Sequence, residues 1–329
     1  MKTTRFAAIV ICLALICTIF AGCGEKKETI LIYTSAEDYI VESLQEKLDE
    51  KFPEYDVIVE YSSTGDMAAK LINEGKNTEC DIVYSLEYPY IQKLDAAGGL
   101  ADISKIVDIS VFSEDSIFSD NFVPVCRTGG AVVVNTEVLK QKKLPEPTCY
   151  EDLLDPKYKD LVSMPNPKSS GTGYMFLLSR INALGEEKAF EYFDKLSENV
   201  FQFTSSGSGP INALLQGEAA IGFGMTGNAV VKINDENAPF KLLFFDEGSP
   251  FSFYGQSIVA GKEEKAGVKE VFTYLATDYA EVMCGEFYPE RIFKDKTYTL
   301  ENHPTDIQYA DMSGNTSEYK EELLKKWKY

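Results

Sequence analysis

The chain has 329 residues, 44% of them hydrophobic, with 32 Lys and Arg against 52 Asp and Glu and a formal net charge of −20. That length and apolar content suffice for two ordinary lobes, each with its own core. The acidity argues against nucleic acid and anionic lipid surfaces as partners, but it leaves open a small anion held locally by neutral dipoles.

Lys2 and Arg5, an apolar run from Phe6 to Phe20, and small residues after it have the layout of a secretory signal peptide; the run is too short to span a bilayer comfortably. FAGC at 20–23 resembles the lipobox of bacterial lipoproteins, with Phe20 where leucine is commoner. The resemblance implies that residues 1–22 are removed, that Cys23 carries lipid on the outer side of the cell membrane, and that residues 23–28 act as a tether. Removing Lys2 and Arg5 leaves 30 basic against 52 acidic residues, a net of −22. Cys80, Cys126, Cys149 and Cys284 then remain, far apart and without metal-like spacing, as buried thiols or in one of three full pairings.

Strands and helices alternate along the mature chain. TILIYT reads as a strand and SAEDYIVESLQEKLDEKF as a helix, with Ile40, Val41, Leu44, Leu48 and Phe52 on one face and Ser35 and Asp38 as a capping box. DVIVEY, DMAAKLINEG, DIVYS and YPYIQKLDAAG continue as strand, helix, strand and helix, the signal of a parallel sheet wound with helices. FVPVCRTGGAVVVNTEVL carries two apolar runs around a glycine pair and suits a crossing between lobes. LVSMPNP, FQFTSS, AAIGFGM and FKLLFFD read as strands of a second series, with helices in SSGTGYMFLLSRINALG, EEKAFEYFDKLSENV and PINALLQGE. YGQSIVAG reads as one more strand, GVKEVFTYLATDYAEVMCGEF as a long helix and YKEELLKKWKY as an amphipathic helix.

The loops at the carboxyl ends of these strands are rich in hydroxyls: Thr34 and Ser35, Ser62 to Gly65, Tyr84 and Ser85, Ser169 to Gly173, Thr204 to Gly209, and Met225 to Asn228. In open α/β sheets ligands bind outside these strand ends. Capping explains one hydroxyl per helix start, but it does not require runs such as SSGTG and SSGSG, so these loops read as the lining of a ligand cleft.

From about residue 28 to 329, the chain resembles the solute-binding lipoproteins of ABC importers, in the group containing ferric-iron-, 2-aminoethylphosphonate- and sugar-phosphate-binding proteins. The resemblance rests on ILIYTSAED, CDIVYSLE, GGAVVVNTEVL, PNPKSSGTGY and GEAAIGFGMTGN. It implies an α/β, two-lobed type II periplasmic-binding-protein fold, each lobe a mixed, mostly parallel sheet flanked by helices. Lobe 1 would take residues 28–125 and 255–329, lobe 2 residues 126–254, with crossings at about 123–135 and 246–256. It further implies a monomer that traps a small-molecule solute and delivers it to permease and ATPase subunits, without a cofactor.

The two hydroxyl clusters favour an anionic head group, such as a phosphonate or phosphate ester. The expected ligand-binding residues are Ser35, Ser63, Thr64, Ser85, Ser169, Ser170, Gly171, Thr172, Ser206, Thr226, Asp246 and Tyr254, with the amides of Gly171, Thr172 and Gly173 turned into the cleft. An amine on the solute would want a carboxylate, for which Glu37, Glu87 and Asp246 are candidates. Ferric iron is the alternative: related iron binders place a tyrosine pair near the strand equivalent to AAIGFGM, where this chain has Phe223, Gly224, Met225 and Thr226. Tyr33, Tyr84, Tyr88, Tyr174 and Tyr254 are the separate tyrosines left for such a role, and no metal site is expected. The single histidine, His303, provides no Ser-His-Asp or Cys-His set, so binding is expected rather than catalysis; a sensor on the same lobes is a further alternative. Replacing Cys23 with Ser is expected to release the protein into the soluble fraction and abolish lipid labelling. A variant that stays membrane-bound contradicts the lipobox reading.

Overall fold

The computed structural model describes residues 27–290 and 292–329; the signal segment, Cys23 and most of the tether lie outside the described residues. β1 (Thr29–Thr34), β2 (Asp56–Tyr61) and β3 (Ile82–Glu87) alternate with α1 (Asp38–Lys51), α2 (Thr64–Glu74) and α3 (Tyr88–Ala96). β1 pairs in parallel with β2 on one side and β3 on the other, as a strand-helix-strand winding requires. The expected capping box is not what starts α1. Its N-cap is Glu37, without a side-chain cap, and the Ser35 hydroxyl instead donates to the carbonyl of Ser85.

FVPVCRTGGAVVVN forms one strand, β4 (Val123–Asn135), which runs through the middle of the sheet. Its first half pairs antiparallel with β9 (Phe251–Ile258), which also pairs with β3. Its second half pairs antiparallel with β7 (Ile221–Met225) and with β8 (Phe240–Leu243). β5 (Val162–Pro165) and β6 (Val200–Thr204) extend the sheet beyond β7 in parallel, giving the order β2-β1-β3-β9-β4-β7-β5-β6 with β8 alongside β4. The glycine pair has a packing role: a Cβ on Gly130 would stand 2.8 Å from Met175 and Phe176, and one on Gly129 3.0 Å from the Tyr309 ring. The second crossing expected at 246–256 is a turn through residues 246–250 leading into β9.

Helices α4 (Thr136–Lys142), α5 (Gly171–Leu184), α6 (Glu186–Leu196) and α7 (Gly209–Leu215) cover this half of the sheet, with Pro210 in the first turn of α7. α8 (Thr226–Glu236) follows β7 directly, so the expected strand-end loop at Met225 to Asn228 is the first turn of a helix. The long helix expected after β9 is broken into α9 (Val268–Ala276), α10 (Asp278–Val282) and a π-turn, Met283–Phe287. Thr273 and Thr277 donate to carbonyls four residues earlier, at 2.7 Å each, a local competition that bends helices. Cys80, Cys126, Cys149 and Cys284 are all unpaired, which resolves the open choice in favour of thiols.

The last helix, α11 (Ser317–Lys326), and the residues after it join the two ends of the sheet. Lys320 pairs with Glu87 at the end of β3, and Glu321 with Lys93 on α3. Past the helix, Trp327 is 2% exposed and packs edge-on against Phe193 of α6 and Phe203 of β6, at 5.2 and 5.7 Å between ring centroids. Lys328 and the Tyr329 hydroxyl both reach Asp194, at 2.7 and 2.8 Å. Trp327→Ala should therefore lower stability by about 3–5 kcal/mol, the range for a buried aromatic truncation, measured by urea unfolding followed by circular dichroism; a loss under about 1 kcal/mol would show that the tail is only laid on the surface.

Candidate functional site

The turns that follow β1, β2, β5, β6 and β7 converge on one narrow cleft. Its outer half is lined by Ser35, Glu37, Tyr61, Ser63, Thr64, Ser169, Ser170, Gly171, Thr172, Ser205, Ser206, Gly207, Met225 and Tyr254. The inner half shares Ser35, Glu37, Met225 and Tyr254 and adds Ala36, Ile40, Ser85, Cys126, Thr128 and Tyr288. Each half has free space for roughly one water. The walls touch: the Gly65 amide donates to the Ser169 carbonyl at 3.3 Å, and a Cβ on Gly65 would stand 2.8 Å from the Lys168 carbonyl oxygen.

The start of α5 shows how the sequence builds the wall. Ser170 is the N-cap, and its hydroxyl oxygen accepts from the Gly173 amide at a long 3.4 Å. The amides of Gly171 and Thr172 have no acceptor among the described residues, so two donors at the positive end of a 14-residue helix are free at the cleft. Gly171 and Gly207 are required by close approach. A Cβ on Gly171 would meet the Tyr254 hydroxyl at 2.7 Å, and one on Gly207 the Thr172 hydroxyl at 2.4 Å and Glu37 Oε1 at 3.0 Å. Thr172 and Thr128 are each 1% exposed, and their hydroxyls have no partner, a costly arrangement unless something in the cleft bonds them. Thr226 and Asn228, in the first turn of α8 and equally buried, also keep side-chain polar atoms unpartnered.

No Lys, Arg or His lines either half. Burial pushes the Glu37 carboxyl up to about 7, with the Ser208 hydroxyl opposing and Asp38 adding to the shift. Burial, with help from Glu87, likewise holds the Tyr254 hydroxyl well above its usual range. Behind Gly171, Glu87 is fully buried and paired with Lys320, whose ammonium stands 4.2 Å from the centroids of the Tyr90 and Tyr174 rings; burial lowers the Lys320 value against the pull of Glu87.

Nine of the expected residues, Ser35, Ser63, Thr64, Ser169, Ser170, Gly171, Thr172, Ser206 and Tyr254, come together in the outer half, and Ser85 lines the inner half. Thr226 lies next to the lining residue Met225. Asp246 does not join them. It is exposed in the turn before β9, while its neighbour Glu247 pairs with buried Arg180 at 3.3 Å, so the turn is anchored away from the cleft. The Gly173 amide is taken by Ser170, and the Ser169 hydroxyl donates to the Ser205 carbonyl at 2.9 Å. Among the candidate tyrosines, Tyr33 stacks under Lys70, Tyr84 is core, Tyr88 bonds Gln92, and Tyr174 backs the Glu87–Lys320 pair. Tyr61, Thr128, Cys126 and Tyr288 lie outside the loops expected to line the cleft, whereas Gly207 belongs to the expected Thr204–Gly209 loop. Strand alternation from buried Cys126 could have placed Thr128 on the same face, but nothing local marks Tyr288, which arrives from the π-turn after α10.

A larger cavity of about 300 Å³ lies elsewhere, lined by Arg127, Glu290, His303 and Tyr309 among others. Its one arginine is already paired with Glu290 at 2.6 Å, and no convergent helix starts face it. Among the described residues no group of three or more His, Cys, Asp or Glu is placed to hold a metal ion.

Residues 77–304 match the family of bacterial extracellular solute-binding proteins. The chain belongs to that family. It is 30% identical over 250 residues to an uncharacterised protein of Haemophilus influenzae, covering 73% of this chain and 70% of that one. It is 23% identical over 230 residues to a putative 2-aminoethylphosphonate-binding periplasmic protein of Salmonella typhimurium, covering 68% of this chain and 65% of the relative. Among solved structures, the periplasmic binding protein AfuA of Actinobacillus pleuropneumoniae, with fructose-6-phosphate bound, superposes with a TM-score of 0.78 at 24% identity, over 92% of this chain and 98% of that one. At that identity the likeness establishes the fold, the type II periplasmic-binding-protein architecture expected from the sequence. The family places the protein outside the cytoplasm, and no helix among the described residues is long and apolar enough to cross a membrane.

The Glu37 shift has a consequence for stability. The folded chain keeps a proton that the unfolded chain releases near 4.5, so this carboxyl favours folding less as pH climbs from there to about 7. The unfolding free energy of the unliganded wild type should fall relative to that of Glu37→Gln by a few kcal/mol between pH 4.5 and 7.5, measured by denaturant titration across that range; parallel curves would show Glu37 to be solvated.

Proposed function

We propose that the protein is the substrate-binding component of an ABC importer and that it captures a small oxyanion, a phosphonate or phosphate ester, between two lobes. Residues 28–125 with 255–329 form one lobe and residues 126–254 the other. The two unsatisfied amides at the start of α5, beside the buried unpartnered Thr172 hydroxyl, carry this reading. Backbone donors at a helix start suit tetrahedral oxyanions, and a cleft without cations must hold an anion by such dipoles. The name of the Salmonella relative and the phosphate ester bound to AfuA are consistent with it. With the walls in contact, a solute enters only if they part, and β4 and β9, which link the two ends of the sheet, are the natural hinge. Lipid on Cys23 would keep the monomer at the membrane, next to its permease and ATPase.

Calorimetry with phosphonate, sugar-phosphate and ferric-citrate ligands tests the proposal. Ser170→Ala should weaken the bound oxyanion by the worth of a charge-assisted hydrogen bond, about 1.5–3 kcal/mol or ten- to hundredfold in Kd, beyond the roughly 1 kcal/mol of stability lost with the cap. Tight ferric binding that survives this change but is lost in Tyr254→Phe would replace the oxyanion with iron.

A further inference from the structure

We infer that the cleft selects a zwitterion: Glu37 receives a cationic amine of the solute while the start of α5 holds the oxyanion at the other end of a short apolar arm. The inference rests on the oxyanion reading above and narrows its substrate class. Glu37 is 6% exposed and lines both halves of the cleft, where no basic side chain stands with it. The other buried acid of this region, Glu87, shows the usual solution, because Lys320 meets its charge. Glu37 has no such counter-charge among the described residues, so an oxyanion beside it is repelled unless the acid is protonated or the solute brings its own cation.

The lining changes character along the cleft in a way that favours the second possibility. The outer half is dominated by hydroxyls, whereas the inner half around Glu37 sets Ala36, Ile40, Cys126 and Met225 and the rings of Tyr254 and Tyr288 among only three small hydroxyl residues, Ser35, Ser85 and Thr128. Apolar walls accommodate methylene groups, and aromatic rings beside a carboxylate favour an ammonium. Gly207 sets the length of the arm. Its Cα–H would-be side-chain position lies 2.4 Å from the Thr172 hydroxyl and 3.0 Å from Glu37 Oε1, so oxyanion donor and carboxylate flank one residue, and few atoms separate the solute's two charges.

The test compares 2-aminoethylphosphonate with ethylphosphonate, which differs by the amine alone, by calorimetry at pH 8 on wild type and Glu37→Gln. Wild type should bind the amine-bearing ligand at least tenfold more tightly. In Glu37→Gln that preference should collapse, with ethylphosphonate binding unchanged or tighter because the repelling charge is gone. The glutamine amide still donates hydrogen bonds, so a preference that survives in Glu37→Gln, or an equal loss for both ligands, would show that Glu37 serves the oxyanion and would overturn the inference. The wild-type comparison stands even if the variant fails to fold: equal binding of the two ligands defeats the zwitterion inference alone. If wild type binds neither ligand, the oxyanion reading fails and this inference fails with it.

Discussion

The free amides of Gly171 and Thr172 are the constraint around which the rest of the cleft is arranged. A chain with a net charge of −20 opposes an approaching anion at long range, so any attraction must be local, from dipoles fixed in position. Fixing them requires close backbone approach. Gly65, Gly171 and Gly207 stand where a methyl group would collide with the opposite wall or with a neighbouring side chain. These glycines are therefore where the walls meet. The buried Glu87–Lys320 pair behind Gly171 belongs to the same arrangement, since it places a compensated acid under a helix start that an unpaired carboxylate would disturb.

That pair also ties the cleft to the end of the chain. α11 holds Glu87 through Lys320, and three residues past the helix the chain ends against α6 and β6, where Asn166 donates to the Tyr329 carbonyl at 3.0 Å. Asn166 in turn accepts, through its carbonyl, from the amides of Ser169 and Ser170 at 3.1 and 2.9 Å. The C-terminal segment thus supports the hydroxyl-bearing loop from behind while remaining attached to the other end of the sheet. Parting of the walls has to strain or release these contacts, which links the energetics of closure to side chains far from the solute in sequence.

The strands and most helices were readable because their signals are local: Ile- and Val-rich runs between turns, and apolar repeats at three and four. Misreadings arose where tertiary contacts outweighed local chemistry. Ser35 looked like a cap, yet its hydroxyl is used by the Ser85 carbonyl of a neighbouring strand end. The glycine pair in β4 sits within one continuous strand, where the glycines admit α5 on one side and Tyr309 on the other. Hydroxyl loops at strand ends were found from the fold rule alone, whereas Tyr288 enters the cleft from more than 200 residues beyond β1 through a π-turn that no local pattern announces. Asp246 was misplaced for the converse reason, since Arg180, buried and invisible as a partner in the sequence, fixes Glu247 and turns the loop outward.

The most direct test of the central claim is a crystal structure of the protein soaked or grown with 2-aminoethylphosphonate. The account predicts phosphonate oxygens within hydrogen-bond distance of the Gly171 and Thr172 amides and the Thr172 hydroxyl, with no basic side chain in contact. Density for the ligand beside Arg127 and His303, or a cleft in which those amides remain unbonded, would contradict it.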